Sequence, residues 1–210
     1  MRNRRTIGAS GNSSLKTRPK MDLTTFLVPF SFVFLAELGD KTQLAVITLC
    51  SKHGWRSILS GAMLAFTLID GVSILIGRAV STLIPLFWTQ LAAGFAFIAV
   101  GIYVLLKREE GNRILISKEG HSAFFSSFIL VSLAEVGDKT QLAVIALAAQ
   151  YQHVLIVFLG VAFAFLVVTV LGIIIGKSLV QVIPKKWLKF FVFALFVGFG
   201  VFYLVQSFFT

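Results

Sequence analysis

Long apolar stretches separated by short polar segments dominate the pattern along the chain. A membrane-spanning helix needs about 20 mainly apolar residues. Six stretches meet that length, and they cover residues 24–50, 57–80, 86–106, 122–149, 154–176 and 187–208. The pattern therefore predicts an all-α integral membrane protein with six transmembrane helices.

The composition supports the same class of protein. Of 210 residues, 57% are hydrophobic and 13% are charged, and the mean hydropathy is +0.91. A soluble domain carries about 25% charged residues, so there is too little charge here to solvate a globule of this size. Intrinsic disorder requires low hydrophobicity and is excluded for the chain as a whole. We therefore expect the lipid bilayer to be the main partner of the chain.

The second half of the chain repeats the first. The block ELGDKTQLAVI at residues 37–47 returns 98 residues later as EVGDKTQLAVI, and after one inserted residue Gly61 matches Gly160. Such self-similarity indicates a duplicated structural unit. We divide the chain into a first repeat of three helices at 23–106, a charged linker at 107–121 and a second repeat of three helices at 122–210.

Three helices per repeat require the second repeat to insert upside down relative to the first. The positive charges of the loops follow this inversion, because Lys and Arg are concentrated in the linker and in the loops between helices one and two and between helices five and six. Cytoplasmic loops carry the excess of Lys and Arg. We therefore predict a cytoplasmic linker with both termini outside; in a prokaryote the membrane would be the plasma membrane.

Residues 1–22 differ from the rest of the chain. They contain six Lys or Arg residues among Gly, Ser and Asn, and we expect this basic tail to be disordered. Its charge opposes the predicted orientation, a conflict that translation from Met21 would remove. The net charge of +10 lies in this tail and at the ends of apolar stretches, so we expect no nucleic-acid partner.

Each copy of the repeated block places charges in the middle of an apolar stretch. The first contains Glu37, Asp40 and Lys41, and the second repeats them 98 residues later. On a continuous helix these side chains would share one face, within about 100°. A charge at the centre of a membrane helix costs about 2.5–3.5 kcal/mol. We therefore expect the two charged faces to meet each other around a wet cavity.

The residue types at this predicted site suit a hard cation. Four acids and two lysines leave two negative charges, which one divalent cation or two protons would neutralise. Oxygen ligands without His or Cys favour ions such as Ca²⁺, Mn²⁺ or Mg²⁺. The acids are Glu37, Asp40, Glu135 and Asp138, and the supporting residues are Lys41, Thr42, Gln43, Lys139, Thr140 and Gln141.

Two further features bear on this site. Gly39 and Gly137 would permit either a close helix approach or a local break that exposes backbone carbonyls. Asp70 lies inside the second apolar stretch, and its repeat counterpart is Thr169. Because acids inside spans are functional candidates by default, Asp70 is a candidate for proton coupling. Salt bridges that only hold the helices together would not require the surplus of acids.

The doubled block resembles the signature E-x-G-D-[KR]-[ST] of the GDT-type cation/proton exchangers, which also carry it twice in two three-helix repeats. Both copies here match it without departure, and the resemblance covers about residues 21–210. It implies transport of Mn²⁺ or Ca²⁺ in exchange for protons. It also implies that Glu37, Asp40, Glu135 and Asp138 are the cation-binding acids.

Other functions remain open at this point. The same acids would also suit an exporter of a cationic small molecule such as a basic amino acid. An intramembrane hydrolase would need an activated nucleophile or a metal-bound water, and neither hydrolase motifs nor a His within a span occur in the sequence. We therefore expect no enzymatic activity and no resident cofactor. The sequence does not separate Mn²⁺ from Ca²⁺ or define an oligomeric state.

Overall fold

The structure is a computed structural model that describes residues 23–50, 53–106, 122–175 and 185–209. The predicted basic tail at 1–22 and the linker at 107–121 lie outside the described residues. The described part is helical, as the apolar pattern predicts. Its helices are α1 (Leu23–Glu37), α2 (Lys41–Cys50), α3 (Trp55–Leu83), α4 (Leu86–Leu106), α5 (Ala123–Glu135), α6 (Lys139–Gln150), α7 (Val154–Ile175) and α8 (Lys185–Ser207).

Four of these helices, namely α3, α4, α7 and α8, are long and apolar enough to cross a membrane. The pair α1 and α2 meets the same criteria as a single span that is bent by 71°. Helix α5 is apolar but has only 13 residues. The described residues thus contain four spans, or five with the bent pair, and they make the chain a multi-pass membrane protein.

The apolar stretches 24–50 and 122–149 are not continuous helices, and the structure shows the other alternative, a local break at Gly39 and Gly137. The first stretch breaks after Glu37 and resumes at Lys41, and the second breaks after Glu135 and resumes at Lys139. Both breaks coincide with the repeated block. The charged residues of each block therefore do not share one face of a single helix. They lie at the junction between two short helices.

Helix α3 has one exposed apolar face and one face that is buried against other helices. Its exposed residues include Leu64, Leu68 and Leu75, which follow the spacing of one helical face. The opposite face buries Ala62, Ala65 and Phe66, together with polar residues that include Asp70. The exposed leucines face the bilayer, while the buried face packs against α5, α6 and α7.

Matching glycines allow close packing between the two halves. Helix α3 packs on α5, and α7 packs on α1. Gly160 lies so close to α1 that a Cβ atom there would be 2.6 Å from the carbonyl oxygen of Phe26. Gly61 lies equally tightly against the carbonyl of Phe124 on α5. Small residues at such contacts bring helix backbones together within a membrane, so the first turns of α1 and α5 pack closely against helices of the opposite half.

Candidate functional site

The break in each motif helix is a β-turn built from the sequence Glu-x-Gly-Asp. The backbone N–H of Asp40 donates to the carbonyl of Glu37 at 3.1 Å, and the N–H of Asp138 donates to the carbonyl of Glu135 at the same distance. Gly39 and Gly137 have φ values of +74° and +78°. A positive φ at the third position defines a type II turn, and this position favours glycine. The glycines therefore make the break.

A glutamine four residues beyond each glycine stabilises the turn. The backbone N–H of Gly39 donates to Oε1 of Gln43 at 2.6 Å, and that of Gly137 donates to Oε1 of Gln141 at 2.7 Å. These N–H groups would otherwise lack a partner at the end of a helix. In this structure the oxygens of Gln43 and Gln141, which the sequence analysis names as supporting residues, thus accept hydrogen bonds within the turn.

The turns bring acids from both halves of the chain to one place. Glu37 and Glu135 end α1 and α5 and are buried, while Asp40 and Asp138 immediately precede α2 and α6 and are partly exposed. One carboxylate oxygen from each of Glu37, Glu135 and Asp138 lies within 4.8 Å of the other two. These three residues form a group that a single metal ion could bridge.

Threonines connect the two halves across the site. The hydroxyl of Thr140 on α6 donates a hydrogen bond to Oε1 of Glu37. In the other half, Thr42 on α2 makes the corresponding side-chain hydrogen bond with Glu135. Each buried glutamate is thus held by a threonine of the opposite repeat. On one ideal helix these threonines would point away from the glutamate of their own block, so the sequence did not predict these contacts.

Lys139 lies among the acids. Its Nζ atom is 2.7 Å from Oδ1 of Asp40, 3.2 Å from Oδ2 of Asp138 and 3.7 Å from Oε1 of Glu37. Its counterpart Lys41 is exposed, and in the described part of the chain no ion pair involves it. The two lysines, which the sequence treats as equivalent, therefore occupy different environments.

The charge of this cluster is not balanced. The cluster contains four carboxyl groups and one ammonium, which contacts three of them, so full ionisation would leave three negative charges in a mostly buried site. Moreover, Oε1 of Glu135 is buried and has no hydrogen-bond partner among the described residues. A buried and unpaired carboxylate is strongly disfavoured. The site therefore requires additional positive charge, as protons or as a bound cation.

The other candidate acid, Asp70, lies on α3 close enough for the charge of Glu37 to act on it. Its side chain is buried, as is that of its counterpart Thr169 on α7. The described residues provide no cation partner for Asp70. The structure thus places a fifth acid within range of the charge of Glu37, and the second repeat has Thr169 at the corresponding position.

Buried acids at breaks in apolar helices are typical of membrane proteins that transport ions. Comparison with known families agrees with this class. The sequence model of the family described as divalent cation/proton antiporter GDT1 matches residues 25–112 and 123–210. The chain belongs to the GDT1 family of divalent cation/proton antiporters.

Individual relatives are similar over most of their length. The GDT1-like protein C186.05c of Schizosaccharomyces pombe is 25% identical, with 85% of this chain and 88% of the relative covered. GDT1-like protein 3 of Arabidopsis thaliana is 29% identical, with 93% and 75% covered. GDT1-like protein 5 of the same plant is 28% identical, with 85% and 94% covered. No solved structure matches the chain significantly.

Proposed function

We propose that the chain exchanges Mn²⁺ or Ca²⁺ for protons across its membrane, at a site formed by Glu37, Asp40, Glu135 and Asp138. The observation that carries this proposal is the group of three carboxylate oxygens within 4.8 Å of one another. Oxygens bind Ca²⁺ at about 2.3–2.6 Å, so two ligands of one ion are at most about 5 Å apart. The distances between these three oxygens are therefore compatible with their binding one ion together.

The charge of the site supports the exchange of a metal for protons. Three excess negative charges cannot remain buried without compensation, and a buried oxygen of Glu135 has no hydrogen-bond partner in the part of the chain that the structure describes. Protons can supply the missing positive charge when no metal is bound. When a metal binds, the same oxygens become its ligands and must release those protons. This competition couples the two fluxes.

Alternating access would follow from two inverted repeats of three helices, each with one motif helix broken at the site. In this arrangement α1 with α2 and α5 with α6 each form one span, which gives six in total. The short helices meet at the acids, so a small rotation of one half against the other would open the site to either side. The cross-repeat contacts of Thr140 and Thr42 support a shared site rather than two separate ones.

A second candidate function is export of a basic amino acid. One observation favours it: the ammonium of Lys139 already lies among three of the acids, which shows that the site accommodates such a group. The family nevertheless favours the metal, and a carboxylate group with metal-ligand spacing needs no amino acid to explain it.

The test is a flux assay with the purified full-length chain in liposomes that contain a pH-sensitive dye. A pH gradient, acidic inside, should drive uptake of Ca²⁺ or Mn²⁺, and the lumen should become more alkaline as metal enters. Arginine and lysine are tested in parallel. Metal-dependent proton flux without amino-acid flux supports the proposal. Amino-acid flux without metal flux would replace it with the second candidate.

A further inference from the structure

The two copies of the repeated block share the contacts that form the turn, but their lysines differ in environment. In both copies the aspartate N–H closes the turn, the glutamine oxygen accepts from the glycine N–H, and the threonine contacts the opposite glutamate. The lysines do not follow this symmetry. Lys139 is only 10% exposed and contacts three acids, whereas Lys41 is exposed.

The packing of the short helices is asymmetric as well. Helix α6 packs against α3, α1 and α7, and α2 packs against the corresponding helices α7, α5 and α3. Helix α6 also packs against α4, whereas α2 makes at most marginal contact with the corresponding helix α8 among the described residues. Gln43 on α2 donates from Nε2 to the carbonyl of Val168 on α7 at 3.0 Å. The lysines therefore differ in a protein whose two halves are themselves in different arrangements, as expected for a transporter that faces one side of the membrane.

The position of Lys139 overlaps that of the proposed metal. Glu37 and Asp138 belong to the group of acids with metal-ligand spacing, and the Nζ atom of Lys139 contacts both of them. Its shortest contact, at 2.7 Å, is to Asp40, an acid of the opposite repeat. An ammonium at this place repels an incoming divalent cation and occupies carboxylate oxygens that the cation needs.

We propose that Lys139 is a tethered competitor of the transported cation: it occupies the acid cluster in the metal-free protein and withdraws when the metal binds. Because Lys41 is the repeat counterpart of Lys139, it takes the equivalent place in the cluster, beside Asp138, when the transporter faces the opposite side of the membrane. This inference rests on the proposed metal transport. In this inference the two lysines lower the affinity for the metal and promote its release, because a lysine that returns to the site helps to displace the ion.

The first test measures equilibrium binding of Mn²⁺ and Ca²⁺ to the purified full-length chain in detergent. Lys139→Gln removes the competing charge and should tighten metal binding by about ten-fold or more, whereas Lys139→Arg keeps the charge and should not. In the flux assay Lys139→Gln should lower both KM and kcat, because the metal leaves more slowly. Lys139→Met, which keeps the apolar stem, should behave like Lys139→Gln and serves in its place if that variant does not accumulate.

The second test addresses the alternation. In liposomes with one protein orientation, Lys139→Gln should lower the KM for metal on one side of the membrane and Lys41→Gln on the other. Weaker metal binding in Lys139→Gln, or equal effects of both variants on the same side, would overturn the inference. These outcomes leave the proposed function intact as long as the wild-type chain exchanges metal for protons. If the wild-type chain binds and transports no metal, both the inference and the proposed function fail.

Discussion

The hydroxyl of Thr140 donates a hydrogen bond to the carboxylate of Glu37, although the two residues lie 103 positions apart in the chain. Both side chains are buried at the point where α1 ends and α6 begins. Because the corresponding contact joins Thr42 to Glu135, neither half of the chain forms its part of the site alone. The site depends on the pairing of the two repeats.

We expect Thr140→Val to impair both stability and transport. The variant keeps the shape of the side chain but removes the donor to Glu37, and an unsatisfied buried polar group costs about 1–3 kcal/mol. Thermal unfolding in detergent and metal flux in liposomes measure the two effects. Thr140→Ser retains the hydroxyl and should stay close to wild type. Thr82→Val is the control, since Thr82 is exposed and, among the described residues, its hydroxyl donates to the carbonyl of Ala79 in its own helix.

Gly137→Ala should disrupt the site without creating a steric clash. Nothing lies within 4 Å of a Cβ atom at this position, so the cost comes from the φ of +78° alone. For a residue other than glycine the left-handed region costs about 1–2 kcal/mol. A lower Tm together with weaker metal binding would indicate that the turn positions the acids. Gly54→Ala is the matched control, because Gly54 also has open space around it and a φ of −59°. Equal behaviour of the two variants would contradict this role of the turn.

Asp70→Asn should change proton coupling more than metal binding. Asp70 is buried within range of the charge of Glu37 but is not among the three acids with metal-ligand spacing. We expect near-normal metal affinity at alkaline pH and fewer protons exchanged per metal ion, measured by simultaneous metal and pH recording in liposomes. Thr169→Val changes the equivalent position of the other repeat and should leave the ratio unchanged. An unaltered ratio in Asp70→Asn would exclude a coupling role.

The predicted membrane orientation can be tested at the linker. A cysteine placed at Ser117, in a chain whose single cysteine, Cys50, is replaced by alanine, should react with a membrane-impermeant reagent only from the cytoplasmic side. We expect this because the linker carries an excess of Lys and Arg, which is typical of cytoplasmic loops. Reaction only from outside would mean that the basic tail sets the orientation.

The sequence predicts the apolar helical class of the chain and the meeting of acids from both halves, for a physical reason. The length of an apolar stretch is fixed by the thickness of the bilayer, and charges such as Glu37 and Glu135 are too costly in lipid to face outwards. The bilayer thickness therefore predicts the length of the apolar helices, and the cost of charge in lipid predicts that the acids face the protein interior. Neither prediction requires knowledge of the packing.

The sequence does not predict how the motif helices break. A single apolar stretch such as 24–50 looks continuous, because the type II turn at Gly39 occupies only four residues and its signal is one glycine. Nor does the sequence distinguish Lys139 from Lys41, since both stand in the same motif. Their difference arises from tertiary packing, which places α6 and α2 in different surroundings.

The central claim is that metal and protons compete for the same carboxylates, and the most direct measurement is proton release on metal binding. Ca²⁺ or Mn²⁺ is titrated into the purified full-length chain in weakly buffered detergent solution, and pH and bound metal are recorded together. We predict that each metal ion bound releases protons and that metal affinity falls as the pH is lowered. Glu135→Gln, which removes the acid with the unpartnered oxygen, should lose most of both the binding and the release. Metal binding without proton release, or wild-type binding and release in Glu135→Gln, would contradict the account.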